Sequence, residues 1–210
     1  MRQAFPIVIS GPSGVGKTTI TLELLASDPL LSYSVSVTTR PMRRGETDGE
    51  HYEFVSEDEF ADLVAAGALA EYACVHGYSY GTRKSVIRET TGKGLDVIMD
   101  LDVQGGMQMR EAFPASLLIF IHPPSHDELE DRLRGRATDS AEVIETRLKN
   151  AHGELEVAER YDHGVTNDDL NRAIEEVRGV IDAERAARDG KHATDRGGAA
   201  DSGETEDRRS

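Results

Sequence analysis

The segment GPSGVGKT at residues 11–18 limits what this chain can fold into more than any other part of the sequence. It satisfies the pattern G-x-x-x-x-G-K-[ST], follows the apolar run FPIVI at 5–9 and leads into the helix-like segment TTITLELLA at 18–26. Glycines let a backbone turn around an anion without Cβ clashes, and the amides that open the next helix point at it. This strand–loop–helix context predicts a phosphate-binding loop, which we call the phosphate loop. The alternative is a glycine-rich turn that matches the pattern by chance.

The residue types in the phosphate loop predict separate roles in holding a nucleoside triphosphate. Lys17 is expected to reach the β- and γ-phosphates, and the Thr18 hydroxyl is expected to help hold Mg²⁺. The chain has no N-K-x-D segment of the kind with which GTPases read guanine, so a switch GTPase is disfavoured. The residues expected to surround the phosphate oxygens are Gly11, Pro12, Ser13, Gly14, Val15 and Gly16, and all of these except Pro12 have a backbone N–H that can donate.

Strand-like and helix-like segments alternate along the chain, which predicts an α/β fold with a mainly parallel sheet. The runs DVIMDLD at 96–102 and SLLIFIH at 116–122 are typical of strands buried on both faces. Helical spacing is present at about 125–134, at about 141–158 and in DLNRAIEEVRGVIDAERAA at 169–187.

The part of the chain between the runs FPIVI at 5–9 and DVIMDLD at 96–102 has a different pattern. YSVSVTT at 33–39 and HYEFVS at 51–56 alternate as strands do. A helix is expected through Phe60, Leu63 and Val64, and Gly67 is expected to end it.

The composition excludes several classes of protein. The chain has 210 residues, with 39 Asp and Glu against 24 Lys and Arg and a formal net charge of −15, so a broad basic face for nucleic acid is not expected. No stretch approaches the ~18 apolar residues that span a bilayer, and no signal peptide is apparent, so no membrane association is expected. The single Cys74 excludes an intrachain disulfide and fits a reducing compartment. We therefore expect a cytoplasmic protein.

The last part of the chain, residues 188–210, has no apolar residue larger than alanine. Such a segment buries too little surface to offset the loss of chain entropy on folding. We expect a folded part at 1–187 followed by a disordered polar tail at 188–210.

A cluster of arginines stands out against the acidity of the chain. The segment TTRPMRRGETDGEHYEF at 38–54 contains Arg40, Arg43 and Arg44. A guanidinium group can donate two parallel hydrogen bonds to the oxygens of one phosphate. Transfer of a phosphoryl group between two nucleotides brings two anions together, and nearby cations stabilise that charge. The cluster is therefore a candidate site for a phosphate acceptor. The alternative is a basic loop that is simply solvated.

Six motifs in one order resemble the guanylate kinases: GPSGVGKTT, SVSVTTRPMRRGETDGEHYEFVS, GYSYGT, DLDVQG, RLRGRATDS and TNDDL. The resemblance runs from about residue 7 to about 187. It implies transfer of the γ-phosphoryl group of ATP to GMP, and to dGMP as well, with Mg²⁺ as cofactor, in purine nucleotide metabolism. It also implies a three-layer α/β/α fold with a core at about 1–36 and 91–187, an inserted GMP-binding lobe at about 37–90 and a small helical lid at about 125–158.

The resemblance also implies which residues bind GMP. Guanine has donors at N1 and N2 that the Glu71 carboxylate can accept, and an acceptor at O6 for the hydroxyls of Ser36 and Thr82. Adenine presents the opposite pattern at this edge and would leave Glu71 unpaired. Without the resemblance, Glu71 would be taken for a surface glutamate at a helix end. The GMP phosphate is assigned to Arg40, Arg43, Tyr52 and Tyr80, and Asp102 is expected near the guanine readers.

The donor side is assigned in the same way. Carboxylates at the carboxyl end of a parallel strand point into the ligand crevice, so Asp100 is expected to hold Mg²⁺ directly or through water. Asn167 is expected to contact the adenine, although alone it would indicate a helix N-cap. The lid residues expected to clamp the triphosphate are Arg132, Arg136 and Arg147, of which the first two would otherwise be an i,i+4 pair on a solvated helix.

Two other functions compete with this interpretation. Scaffold proteins contain guanylate-kinase-like domains that bind phosphopeptides without catalysis, but their phosphate loops are degraded, and this chain keeps Gly11, Gly16 and Lys17. Another small-molecule kinase of the same fold, such as a ribose bisphosphate kinase, would not need the guanine readers. The sequence leaves open whether the protein is a monomer or a homo-oligomer.

Overall fold

The computed structural model describes residues 2–75, 77–134 and 141–197, and these ranges contain both strands and helices. The strands are β1 (Pro6–Ser10), β2 (Leu31–Tyr33), β3 (Val37–Thr38), β4 (Glu53–Phe54), β5 (Leu69–Val75), β6 (Tyr78–Arg83), β7 (Asp96–Asp100), β8 (Leu117–His122) and β9 (His163–Thr166). The helices are α1 (Lys17–Ser27), α2 (Glu57–Ala65), α3 (Lys84–Gly92), α4 (Val103–Ala112), α5 (His126–Arg134), α6 (Ala141–Glu156) and α7 (Leu170–Gly197).

The main sheet has the strand order β2-β7-β1-β8-β9, and every neighbouring pair is parallel. Ile7 of β1 lies in register between Ile98 of β7 and Leu117 of β8, and all three side chains are buried. Parallel strands that are covered on both faces must be apolar throughout, which explains the uninterrupted apolar runs. Their carboxyl ends form one edge of the sheet, from which the phosphate loop leaves β1.

Helices cover both faces of the main sheet. On one face, Leu24 of α1 and Val177 of α7 pack with Ile9. On the other face, Ile87 of α3 packs with Val8 in a second cluster, to which α4 also contributes. Full burial of each such side chain contributes about 1.5–3 kcal/mol relative to exposure. The predicted three-layer α/β/α fold with a central parallel sheet is confirmed.

A second sheet, with the order β4-β3-β6-β5, lies between residues 37 and 83 and forms a separate lobe. Helix α2 covers it by burying Phe60 against Val37. The helix begins with a capping box, in which the Ser56 hydroxyl accepts from the Glu59 amide at 3.2 Å and the Glu59 carboxylate accepts from the Ser56 amide at 2.8 Å. These residues fix the direction in which α2 leaves β4.

The single strand predicted at 33–39 is divided between the two sheets. The Ser34 amide still donates to the Ile98 carbonyl of the main sheet at 3.2 Å. The Ser36 carbonyl already accepts from the Glu53 amide of the lobe at 2.9 Å. Alternation alone cannot reveal this division, because both halves have the same period. The chain therefore passes from the core to the lobe within residues 34–36.

Helix α3 belongs to the core rather than to the lobe. The second sheet ends at Arg83, whereas Ile87 of α3 is fully buried on the main sheet. The predicted lobe boundary at about residue 90 would divide this helix. The structural boundary lies where β6 meets α3, because the only buried side chain of α3 packs on the core.

Helix α7 extends to Gly197, so order continues past the predicted start of a disordered tail at residue 188. The Arg188 guanidinium lies 4.0 Å from the centroid of the Phe5 ring, and its Nη2 donates to the Ala115 carbonyl at 2.7 Å. The aliphatic part of the Arg188 side chain and its cation–π contact hold this part of α7 against the core, a role that an apolar side chain usually has. Residues 198–210 lie outside the described part of the chain. Among the described helices, α7 included, none is both long enough and apolar enough to cross a membrane.

Asp96 joins α7 to the amino-terminal edge of the main sheet. Its side chain is fully buried, and its carboxylate accepts from the Phe5 amide at 3.0 Å and from Arg185 Nε of α7 at 2.9 Å. The same carboxylate pairs with Arg2. Arg185 also bonds Asp28 at 2.7 Å and Asp182 at 3.0 Å.

We expect Asp96→Ala to lower the free energy of unfolding by about 3–5 kcal/mol, because it leaves a buried guanidinium without its most buried counter-ion. Urea denaturation followed by circular dichroism measures this loss. Asp182→Ala is the matched control: it removes another carboxylate from Arg185, but one that is 59% exposed, and should cost less than about 1 kcal/mol. Equal losses in the two variants would contradict the role given to burial.

Candidate active site

The phosphate loop has the conformation that its glycines predict. Gly11 and Gly16 have φ angles of 139° and 101°, which L side chains rarely adopt. Gly16 is the N-cap of α1, and a Cβ added there would lie 2.6 Å from the Asn167 side-chain nitrogen. Glycine is therefore required at position 16 both by the backbone and by the close approach of Asn167.

Lys17 is the first residue of α1, and its side chain turns back over the phosphate loop. Its Nζ donates to the carbonyls of Gly11 at 2.7 Å and Pro12 at 3.0 Å. These contacts hold the ammonium at the mouth of the loop. A cation held in this way needs little reorganisation when an anion enters.

Thr18 and Asp100 meet at the carboxyl edge of the sheet, as the sequence predicted for the metal site. The Thr18 hydroxyl donates to Asp100 Oδ2 at 2.6 Å, and Tyr33 Oη donates to Asp100 Oδ1 at 2.8 Å. Although Tyr33 as a residue is 42% exposed, burial around its hydroxyl and the Asp100 charge raise the pKa of the phenol. A hydroxyl beside a carboxylate is a pair of hard oxygen donors, which fits Mg²⁺.

A cavity of about 270 Å³ lies between the lobe and the carboxyl edge of the main sheet. Five of the predicted acceptor residues line it, together with Asp100 of the predicted metal site. The five are Ser36, Tyr52, Glu71, Tyr80 and Asp102. The sequence did not single out Tyr33 and His51, which line the cavity as well.

Glu71 is a buried carboxylate on the wall of this cavity, only 6% exposed. The hydroxyl of the buried Thr82 donates to Glu71 Oε1 at 2.6 Å across the β5–β6 pair. Burial raises the pKa of Glu71 to about 7, although the bond from Thr82 acts in the opposite direction. Because the Thr82 proton points at Glu71, Thr82 positions this carboxylate, and Ser36 is the hydroxyl better placed to donate to a base.

Asp102 has a structural role that the sequence did not suggest. It is the N-cap of α4, and its Oδ1 accepts from the Gly105 amide at 2.8 Å. A Cβ added at Gly105 would lie 3.2 Å from Glu71 Oε2. Asp102 therefore fixes the helix N-terminus that approaches Glu71, and it also lines the cavity.

Arg40 is the buried member of the arginine cluster, with 6% of its surface exposed. Its two terminal nitrogens bond both oxygens of Glu46, at 2.7 and 3.1 Å, and its guanidinium lies 5.3 Å from the centroid of the Tyr52 ring. The bonds to Glu46 raise the pKa of Arg40 and lower that of Glu46. The sequence interpretation overlooked Glu46, although a glutamate six residues after an arginine in a basic cluster was a usable signal.

The other residues of the arginine cluster are placed differently. Arg43 and Arg44 are exposed, and the Arg43 amide, rather than its side chain, donates to Glu46 at 2.7 Å. The Tyr52 and Tyr80 rings meet edge to face with their centroids 6.0 Å apart. Arg40, Tyr52 and Tyr80 are thus close together, whereas the Arg43 guanidinium points to solvent.

Asn167 connects the phosphate loop with helix α5. Its side-chain Nδ2 donates to the Val15 carbonyl at 2.8 Å, and its backbone carbonyl accepts from Arg132 Nη2 of α5 at 3.0 Å. It is not the cap of α7, because Asp169 accepts from the Arg172 amide there. Arg132 also bonds Glu128 at 2.5 Å. Arg136 lies outside the described residues, and so does the side chain of Arg147.

Glu154 of α6 is a further carboxylate beside the phosphate loop that the sequence did not indicate. It accepts a hydrogen bond from the backbone of Ser13, and burial raises its pKa while the Lys17 charge lowers it. It lies more than a hundred residues after the loop in sequence, so no local pattern could have found it.

The chain is similar to known guanylate kinases over most of its length. The guanylate kinase family model matches residues 3–184. The guanylate kinase of Syntrophotalea carbinolica is 47% identical over 189 residues, which cover 89% of this chain and 90% of that protein. That of Rhizobium meliloti is 49% identical over 189 residues, covering 90% of this chain and 86% of that protein. The crystal structure of guanylate kinase from Anaplasma phagocytophilum gives a TM-score of 0.69 at 32% identity, covering 88% of this chain and 87% of that one. The chain belongs to the guanylate kinase family.

Proposed function

We propose that this protein is an ATP:GMP phosphotransferase, which moves the γ-phosphoryl group of ATP to GMP and yields ADP and GDP. The observation that carries the proposal is a buried carboxylate, Glu71, on the wall of a cavity next to a phosphate loop. The Thr82 hydroxyl donates to one oxygen of this carboxylate, a buried carboxylate is costly unless it is well supplied with donors, and guanine supplies two more on one edge. The same site suits dGMP, because no assigned role needs the 2′-hydroxyl. We place the activity in the purine nucleotide metabolism of the cytoplasm, where it recycles GMP.

The donor triphosphate is assigned to the phosphate loop. Its backbone amides and Lys17 surround the β- and γ-phosphates, and the positive φ angles at Gly11 and Gly16 support this role. Thr18 and Asp100 are the residues that would hold Mg²⁺, on the strength of their adjoining oxygens. When bound, the ion neutralises charge on the phosphate oxygens. Asn167 remains the residue assigned to the adenine.

The acceptor phosphate is assigned to Arg40, Tyr52 and Tyr80, which lie together at the lobe side of the cavity. Glu46 accepts from both terminal nitrogens of Arg40 and so fixes the orientation of the guanidinium beside the cavity. Arg43 joins this set if its exposed side chain folds inward over the bound nucleotide.

The guanine is assigned to Glu71, Ser36 and Thr82, with Asp102 close by. Glu71 accepts from N1–H and N2–H, and Ser36 donates to O6. Thr82 holds Glu71 in the orientation that this pairing needs.

The reaction needs no covalent intermediate and no general base, because the GMP phosphate is already a nucleophile. The residues contribute by positioning the two nucleotides and by offsetting charge on the transferred group. Arg132, Arg136 and Arg147 are assigned to this second role. They cover the triphosphate when the lid closes, which also keeps water from hydrolysing ATP.

A coupled assay for ADP release tests the proposal directly. ATP is offered with GMP, dGMP, AMP, CMP or UMP as acceptor, and with no acceptor. Turnover with the guanine monophosphates alone supports the proposal. Equal turnover with AMP, or release of ADP without any acceptor, would refute it.

GMP binding is expected to weaken as the pH falls below about 7, the raised pKa of Glu71. Only the ionised carboxylate accepts from both N1–H and N2–H. Each further fall of one pH unit should therefore raise the Kd of GMP by up to about tenfold. Titration calorimetry between about pH 8 and about pH 5.5 measures the dependence. Glu71→Gln is the control, because the pH dependence of its GMP binding comes from the GMP phosphate, which titrates at about pH 6, and not from residue 71. Parallel profiles for the two proteins would contradict the assignment.

A further inference from the structure

Tyr33 connects the predicted metal site with the acceptor cavity. Its hydroxyl donates to Asp100 Oδ1 at 2.8 Å, while the Thr18 hydroxyl donates to Asp100 Oδ2 at 2.6 Å. Tyr33 also lines the cavity on which Glu71 and Tyr52 lie. One side chain therefore touches both halves of a two-nucleotide site.

We propose that Tyr33 is a positioning residue, which orients Asp100 for the divalent cation and transmits occupation of the acceptor cavity to the metal site. The inference rests on the proposed function, since it assumes that Thr18 and Asp100 hold the ion. It goes beyond that function because no catalytic or binding role for Tyr33 follows from the phosphate loop or from the arginine cluster.

The orientation of Asp100 follows from its hydrogen bonds. Donors on both oxygens fix the plane of the carboxylate, and each oxygen keeps a second lone pair for the ion or for a water bound to it. Without the Tyr33 hydroxyl, Oδ1 loses its donor while Thr18 still holds Oδ2, so the plane of the carboxylate is less restricted. Groups that orient a metal ligand from behind commonly control metal affinity in this way.

The coupling follows from where Tyr33 lies in the chain. It is the last residue of β2 and pairs in register with Ile98 of the core. The chain then passes into the lobe within residues 34–36, where the Ser36 carbonyl bonds the lobe residue Glu53. A nucleotide in the cavity contacts the Tyr33 ring from one side, and any movement of the lobe pulls on the same residue through the backbone.

The test uses Tyr33→Phe, which keeps the ring wall of the cavity and removes only the hydroxyl. Binding of a non-hydrolysable ATP analogue is measured by titration calorimetry over a series of Mg²⁺ concentrations, with and without saturating GMP. In the wild type, GMP should lower the Mg²⁺ concentration that gives half-maximal binding. In Tyr33→Phe the Mg²⁺ concentration at half-maximal binding should be about tenfold higher than in the wild type, and GMP should no longer lower it. The Kd of GMP should change less than about twofold, because no hydrogen bond from the hydroxyl to GMP is assigned.

Two further variants separate the possible failures. Tyr72→Phe removes the hydroxyl of an exposed tyrosine of β5 that does not line the cavity, and it should behave as the wild type. Asp100→Asn should raise the Mg²⁺ requirement at least as much as Tyr33→Phe. If Asp100→Asn does so and Tyr33→Phe does not, the role of Tyr33 is refuted while the metal site stands. If neither variant changes the requirement, the metal assignment itself fails, and the role of Tyr33 fails with it.

Discussion

Replacement of Lys17 by methionine is expected to lower kcat by about 10³-fold or more, the largest effect of any single substitution in this protein. The Lys17 ammonium is held over the phosphate loop by the carbonyls of Gly11 and Pro12. Methionine preserves the length of the side chain but leaves the charge on the transferred phosphoryl group without its nearest cation. Because this charge develops most in the transition state, kcat should fall much more than the affinity for ATP.

Single-turnover measurements with GMP in excess separate the chemical step from binding. Lys84→Met is a matched control, because Lys84 is also the first residue of a helix and its Nζ also donates to a loop carbonyl, that of Gly67 at 2.9 Å. Lys84 does not line the cavity and has no assigned role, so the kcat of this variant should match that of the wild type. Wild-type turnover in Lys17→Met would overturn the assignment of the phosphate loop.

Glu71→Gln is expected to lower kcat/KM for GMP by about 10²- to 10³-fold and to leave the low activity toward AMP nearly unchanged. Glutamine has nearly the same shape, but only one of its two terminal atoms accepts, so one guanine donor loses its partner. The ratio of kcat/KM for GMP to that for AMP should therefore fall by a similar factor.

The matched control for this prediction is Glu53→Gln. Glu53 lies in the same lobe and accepts from Arg83 Nε at 2.6 Å, but it does not line the cavity. Its substitution should leave the GMP-to-AMP ratio as it is in the wild type. A Glu71→Gln protein with an unchanged ratio would show that guanine is recognised elsewhere.

The elements that the sequence predicts well are those whose signal is local. The runs around Ile7, Ile98 and Ile119 are buried on both faces, so their composition alone indicates parallel strands, and all three are confirmed. Strands β5 and β6 were not predicted, because LAEYACV follows directly on a helix and YSYGTR has no apolar alternation. Only their pairing with each other and with β3 makes them strands.

The same distinction between local and distant signals applies to the residues of the site. The phosphate loop is contiguous, so its residues could be recognised in the sequence alone. Glu71 and Thr82 lie on different strands, and only the resemblance to a family assigned them a common site. Tyr33 and Glu154 act on the site through partners 67 and more than a hundred residues away, and no pattern within a window of sequence contains such a pair.

The burial of Glu71 has a consequence for the empty protein. A carboxyl group whose pKa rises on folding favours the folded state while it is protonated, and this contribution is lost as the pH rises from its ordinary pKa of 4.5 toward about 7. At neutral pH the folded protein therefore carries a partly charged group in a place that disfavours charge. The two donors of guanine stabilise this charge. GMP therefore stabilises the folded protein at the site where it is recognised, and the free protein is less stable than the GMP-bound one.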